Sequence, residues 1–328
     1  MKTRFFHIDF LRAVAITGVM LTHSLALFLG PKSINSAWNY LHFVVVGFVF
    51  CSGYVTTLTH THTSLVAWYQ KRFVRLYVPF VLYVVAYMIV SSRSFSSHFF
   101  TDSLTFLGGV DVGWLTLLFL QLTILTPLLL HIDMMGSAAK VVFIVLGVFS
   151  IITLFIRIPT VYSRAVAWLP WSFIFLLGRL YATCEKSKSL RTTYLPSIGI
   201  VSFIIWILLK FLLIHWNQPI TLTLHKYPPD IFYFLYGISI NSFLLLISSK
   251  LKNLSNGITR LITFISKNSY GMFFIHLLTL EALTKFFSRL TVVPVILVSI
   301  TTTLSLLYGW SLLLLISKRN VSRVNTKR

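Results

Sequence analysis

Ten apolar stretches, each of roughly 17 to 25 residues and so able to cross a hydrocarbon core as one helix, follow one another with short polar breaks between them. They run approximately over 8–29, 39–58, 73–91, 113–131, 139–156, 163–182, 194–214, 229–248, 258–280 and 291–316. Inside lipid each backbone N–H and C=O must find its partner within the protein, which leaves helices as the form such stretches take. The expectation is an all-α, polytopic membrane helix bundle. Composition points the same way, because a chain of 328 residues that is 56% hydrophobic and 11% charged cannot clothe itself for water.

The charge is one-sided: 28 Lys and Arg against 7 Asp and Glu, a formal net charge of +21. A nucleic-acid partner is not implied, since the basic residues sit in short clusters between apolar runs, as they do when cytoplasmic loops collect them. Anionic lipid headgroups are the expected partner. With an even number of spans both termini share a side, and counting the basic residues by side leaves only Lys32, Arg93, Arg157, Arg164, Lys210, Lys226, Lys285 and Arg289 opposite the termini. Both ends are therefore expected in the cytoplasm. The first span carries Arg12 and His23, which the apolar core of a signal peptide would not, so it should persist in the mature protein. The longest outer loops, 92–112 and 215–228, are too short for a soluble domain, and one membrane domain over 1–328 is expected. Cys51 and Cys184 have neither disulfide-framework nor metal-ligand spacing, and His60 and His62 lack a third ligand nearby, so no metal is expected.

Ionisable side chains inside a span are costly, and each is a candidate for function, with helix-to-helix pairing as the plainer reading. The first span holds His7, Asp9, Arg12, Thr22 and His23. The eleven steps from Arg12 to His23 leave them about 20° apart around a helix and about 16 Å apart along it, on one face. Asp9 is three residues before Arg12, close enough for an ion pair that either anchors the membrane edge or holds Arg12 ready for an anionic ligand. A free imidazole titrates near neutrality, so His23 is of a type that can act as a general base, where Lys or Arg would not.

The second cluster is KRFVR, residues 71–75, at the entry to the third span. Arg72 and Arg75 are spaced i, i+3 and can turn two guanidinium forks to one side, a geometry suited to phosphate; plain positive-inside anchoring is the alternative. Ser52 and Gly53 in FVFCSGY read as a close helix-packing site. Gln121, His131, Tyr270 and His276 either line a cavity or bond across helices. Trp38, Trp114 and Trp216 lie where an aromatic belt is expected.

RFFHIDFLRAVAITGVMLTH at the start, then FVFCSGY, KRFVRLYVPF and SYGMFFIH, resemble in order, spacing and position the acyltransferase-3 family of membrane acyltransferases, over nearly the whole chain. The resemblance implies about ten membrane helices and transfer of an acyl group, commonly acetyl from acetyl-CoA as co-substrate, to a carbohydrate hydroxyl. No tightly bound cofactor is implied. Carried over by position, His23 is the catalytic histidine, Arg12 its motif partner, and Arg72 and Arg75 hold the acyl-CoA; Trp114 matches an aromatic position of the fourth span, poorly. Asp9, Ser52, Tyr270 and His276 are supporting candidates. Many members carry an added soluble domain that completes transfer; here such a relay would be a separate envelope protein. The implied location is a bacterial cytoplasmic membrane.

Two other classes fit the composition. An exporter of polysaccharide or lipid-linked sugar would use Arg12, His23 and His276 as a path or proton relay. A scaffold would use the same groups only to join helices.

Overall fold

The computed structural model describes all residues except 1–4, 60–63, 92–95, 157–159, 185–193, 252–253, 288 and 326–328, and no side chain of 157–161 or beyond 309. The described residues form thirteen α-helices and two short 3-10 turns, with no strand. In order the helices are α1 (Phe6–Ala26), α2 (Lys32–Tyr40), α3 (Val44–Thr59), α4 (Leu65–Val90), α5 (Ser97–Thr105), α6 (Gly113–His131), α7 (Ser137–Phe155), α8 (Thr160–Val166), α9 (Trp168–Cys184), α10 (Leu195–His215), α11 (Ile231–Lys250), α12 (Asn256–Phe286) and α13 (Val292–Asn325). Nine helical segments among the described residues are long and apolar enough to cross a membrane; α2 and α3 act as one of them, as do α8 and α9. The chain is a polytopic helix bundle.

The expected span 258–280 is helical as well, within the 31 residues of α12. Lys267, Asn268, Tyr270, His276 and Glu281 make it more polar than the other nine. That polarity faces protein: α12 packs chiefly on α1, and also on α13 and α4. The central helices are identifiable by burial, since α1 and α11 bury 61% of their apolar window whereas α4, α7 and α10 bury 22%. The exposed flanks of the last three, with Leu82, Ile144, Val148, Leu208 and Phe211, present the apolar surface that lipid requires.

Small residues set the closest helix crossing. A Cβ on Gly53 would lie within 1.9 Å of the Phe175 carbonyl oxygen, and one on Gly178 within 2.1 Å of the Phe50 carbonyl oxygen, so α3 and α9 meet backbone to backbone. Gly53 thus has the packing role expected of it. Ser52, beside it, lines an interior cavity.

Several polar groups within the bundle find local partners. Thr22, Thr126 and Ser172 donate to the carbonyls of Gly18, Leu122 and Trp168 one turn back. Arg179 is buried and donates to the Leu129 and Leu130 carbonyls, the latter at 3.2 Å, satisfying the C-terminal end of α6.

Two expected boundaries move. The third span was expected to begin at 73, within the basic cluster, but α4 starts at Leu65 behind a Ser64 cap whose hydroxyl accepts from the Ala67 N–H. Arg72 and Arg75 therefore stand two turns inside a helix. Loop 92–112 contains α5, capped by Ser96, and then turns back through Gly109, whose positive φ of 68° suits a residue without Cβ.

Candidate active site

Two cavities occupy the interior around α1. The first is lined by Arg12 of α1, Ser52 and Phe48 of α3, Arg72 and Arg75 of α4, Phe119 and Thr123 of α6, and Ser269, Tyr270 and Phe273 of α12, among others. Three guanidinium groups thus converge on one space from two helices. Arg12 Nε is buried with no hydrogen-bond partner among the described residues, a costly state that an anion in the cavity would relieve. Arg72 is held more firmly: its Nη2 donates to Thr56 Oγ1 at 2.8 Å and its guanidinium lies 4.9 Å from the Trp68 ring centroid. Arg75 is exposed, at the mouth.

Tyr270 ties this cavity together. Its hydroxyl donates to the Leu76 carbonyl at 2.6 Å and pairs with Thr116 Oγ1 at 3.1 Å, linking α12 to α4 and α6. The contact falls beside Pro79, whose missing N–H interrupts the α4 ladder. Asp9 sits outside the cavity lining, and its Oδ1 accepts a 2.7 Å hydrogen bond from Ser266 Oγ on α12.

The second cavity opens where α1, α4 and α12 end and the turn after α5 folds over them. His23, Tyr83, Tyr87, Asp111 and Glu281 line it, with Gly109 and Thr284. His23 meets His276 of α12 edge to edge, ring centroids 5.1 Å apart and planes within 8° of parallel, with His23 Nδ1 2.8 Å from His276 Nε2.

Hydrogen-bond logic assigns the tautomers of this pair. His276 Nδ1 lies 2.9 Å from the Met272 carbonyl oxygen, which can only accept, so Nδ1 carries the proton. A neutral His276 then offers the Nε2 lone pair, and His23 must donate to it from Nδ1. In neutral His23 the remaining nitrogen, Nε2, keeps its lone pair. The arrangement is that of an oriented base: one ring nitrogen fixed by a partner, the other free to take a proton or to attack.

Trp114 lines neither cavity. It lies at the start of α6, edge-on to Tyr227 at 5.0 Å, with Lys226 Nζ 4.7 Å above its ring. Asp111 pairs with Arg164 at 3.0 Å beside it. Burial depresses the Lys226 ammonium to about 7, against a smaller opposite pull from Asp111. In the same loop, buried His225 pairs through Nδ1 with Asp230 and donates from Nε2 to the Pro219 carbonyl at 2.7 Å, clamping 219–230.

Arg12, Ser52, Arg72, Arg75 and Tyr270 are brought into one cavity, and His23 and His276 into a bonded pair next to it. Thr56, Trp68, Phe273, Asp111, Glu281 and Lys226 are additions that residue type alone did not single out. Among the described residues no group of three or more His, Cys, Asp or Glu is placed to hold a metal ion, and His60 and His62 fall outside those residues.

A bundle of apolar helices with an arginine-lined cavity and a hydrogen-bonded histidine pair in its interior defines a multi-pass membrane protein. The family model for the acyltransferase domain of the acyltransferase-3 type matches residues 5–313, and the chain belongs to that family of membrane acyltransferases. No curated protein and no solved structure matches the chain.

Proposed function

We infer that the protein transfers an acyl group, acetyl in the simplest case, from cytoplasmic acyl-CoA to a hydroxyl of a cell-envelope glycan or lipid-linked sugar, in a bacterial cytoplasmic membrane. The observation that carries this reading is the His23–His276 pair, which leaves one imidazole nitrogen of His23 free beside a cavity lined by three arginines. The arginines stand near the cytoplasmic ends of their helices in the topology expected from the charge distribution, and acyl-CoA is polyanionic, so the donor enters from that side. His23, about 16 Å farther along α1 than Arg12, belongs to the opposite mouth.

The acceptor enters through the cavity that His23 lines, where the carboxylates of Asp111 and Glu281 and the hydroxyls of Tyr83 and Tyr87 can exchange hydrogen bonds with a polyol. His23 Nε2 takes the proton of the acceptor hydroxyl as its oxygen attacks the thioester carbonyl. The C–S bond breaks, the CoA thiolate leaves, and the proton on His23 passes to that thiolate or to solvent. In the covalent variant His23 Nε2 itself attacks the thioester carbonyl and the C–S bond breaks with departure of the CoA thiolate; the acceptor oxygen then attacks the acyl-histidine, the C–N bond breaks, and the acceptor's proton passes to the thiolate or to solvent. Arg12 contributes its unpaired N–H to the phosphates or to the developing oxyanion. A separate envelope protein would relay the acyl group where the final acceptor lies beyond the membrane.

Single-turnover release of CoA from acetyl-CoA by the purified protein, across a panel of glycan acceptors, tests this. Acceptor-stimulated release that disappears in His23→Ala is the expected result. No release under any condition, together with glycan flux across liposomes, would replace the reading with an exporter.

A further inference from the structure

The two cavities share no lining residue, yet they are neighbours. Phe273 is where they come closest. It lines the basic cavity, and it is the residue farthest along α12 that does so, His276 being three positions on and about 4.5 Å higher on the helix axis. Its ring centroid is 6.1 Å from that of His23 and 5.9 Å from that of His276. Phe274 packs behind it, edge-on at 5.1 Å, and Phe273 itself is 5% exposed. An aromatic wall one side chain thick therefore separates the arginine-lined space from the histidine pair.

That wall raises a problem for any group that must pass from one space to the other. An acyl carbonyl delivered from the basic cavity has to come within about 3.5 Å of the attacking atom, and the Phe273 ring stands in the way. A phenyl ring can yield to a small group by a rotamer change, but a larger group needs more room than that movement opens in a packed interior.

We propose that Phe273 is the partition between the donor and acceptor cavities, that it sets the size of the acyl group transferred, and that it keeps water of the outer cavity off the thioester. This rests on the acyl-CoA reading of the basic cavity. Without the ring, water from the acceptor side reaches the thioester: its oxygen attacks the carbonyl, the C–S bond breaks, and free acid and CoA thiol are the products. Longer acyl chains also gain access to His23.

The test is free-thiol release by purified wild type, Phe273→Ala and Phe273→Trp, with acetyl-, butyryl- and octanoyl-CoA, each with and without an acceptor on which the wild type acts. In Phe273→Ala, acceptor-free hydrolysis is expected to rise about tenfold or more, with octanoyl-CoA gaining by a similar factor over acetyl-CoA. Phe273→Trp should narrow the range, lowering butyryl relative to acetyl transfer. Monodisperse size-exclusion profiles and ligand-free melting close to that of wild type report that both variants are folded. A wild type that transfers acetyl while both variants keep its hydrolysis rate and its chain-length order overturns the partition alone. A wild type that turns over no acyl-CoA overturns the underlying reading, and the partition with it.

Discussion

His23 and His276 lie 253 positions apart in the chain, yet their rings lie nearly in one plane and share one hydrogen bond, with the Met272 carbonyl deciding which nitrogen carries which proton. A partner that fixes a tautomer acts on the chemical step and leaves substrate binding alone. His276 does not line the basic cavity. His276→Ala is therefore expected to lower kcat by about 10²-fold or more while KM for acyl-CoA stays within a factor of two or so. His276→Gln, whose carboxamide oxygen can still accept from His23 Nδ1–H, should recover part of the loss. Steady-state kinetics on both variants decide it: equal kcat across wild type, Ala and Gln would reduce the pair to helix packing.

Arg72 gives a test of fork geometry against bare charge. Its guanidinium is held by Thr56 and lies over Trp68, and the single ammonium of a shorter lysine has no planar fork to make both contacts while also facing the cavity. Arg72→Lys should raise KM for acyl-CoA about tenfold with little change in kcat. Replacing Arg72 and Arg75 together with Gln should raise it further and flatten its dependence on salt. A lysine variant with wild-type KM would show that simple positive charge suffices.

Much of this was legible in the residues themselves. Arg12 and His23 share a face because eleven helical steps bring them to nearly the same angle, and α1 spans both without a break. Each of the ten apolar stretches falls on helix. The direct contact of His23 was not legible, because periodicity within a span says nothing about which distant helix packs on it; the sequence offers Tyr270 and His276 as residues that line a cavity or bond across helices, without naming the helix they meet. The start of α4 was misplaced for a related reason. Lys71, Arg72 and Arg75 look like a membrane edge, while the Ser64 cap that begins the helix lies a full two turns earlier. The cavity role of Ser52 was hidden by its neighbour Gly53, whose packing role was the easier one to see.

The α3–α9 crossing should be intolerant of any side chain. At Gly53 a Cβ meets a backbone carbonyl at 1.9 Å, and a carbonyl cannot swing aside as a side-chain end can. Gly53→Val is expected to cost about 3 kcal/mol or more in stability, at the upper end of what overpacking does, and Gly178→Val likewise. Fluorescence-detected size-exclusion melting in detergent should register a clear fall in Tm or loss of the monodisperse peak. Wild-type melting in both variants would mean that the helices cross less closely than described.

Lys226 gives a pH dependence whose sign is determined. In the folded protein its ammonium titrates at about 7 rather than 10.5, chiefly because burial disfavours the charge. Between those values the unfolded chain binds the proton and the folded one does not, so stability rises with pH across that window. Below pH 7 the full cost of holding the charge is present, and it fades as pH approaches 10.5. Lys226→Met removes the titrating group and retains much of the apolar stem against Trp114. The methionine variant should melt above wild type at pH 6, with the difference shrinking steadily towards pH 10. Intrinsic-fluorescence melting of the two proteins in the same detergent provides the comparison, and a difference that does not change with pH would mean that Lys226 keeps its ordinary ammonium in the folded loop.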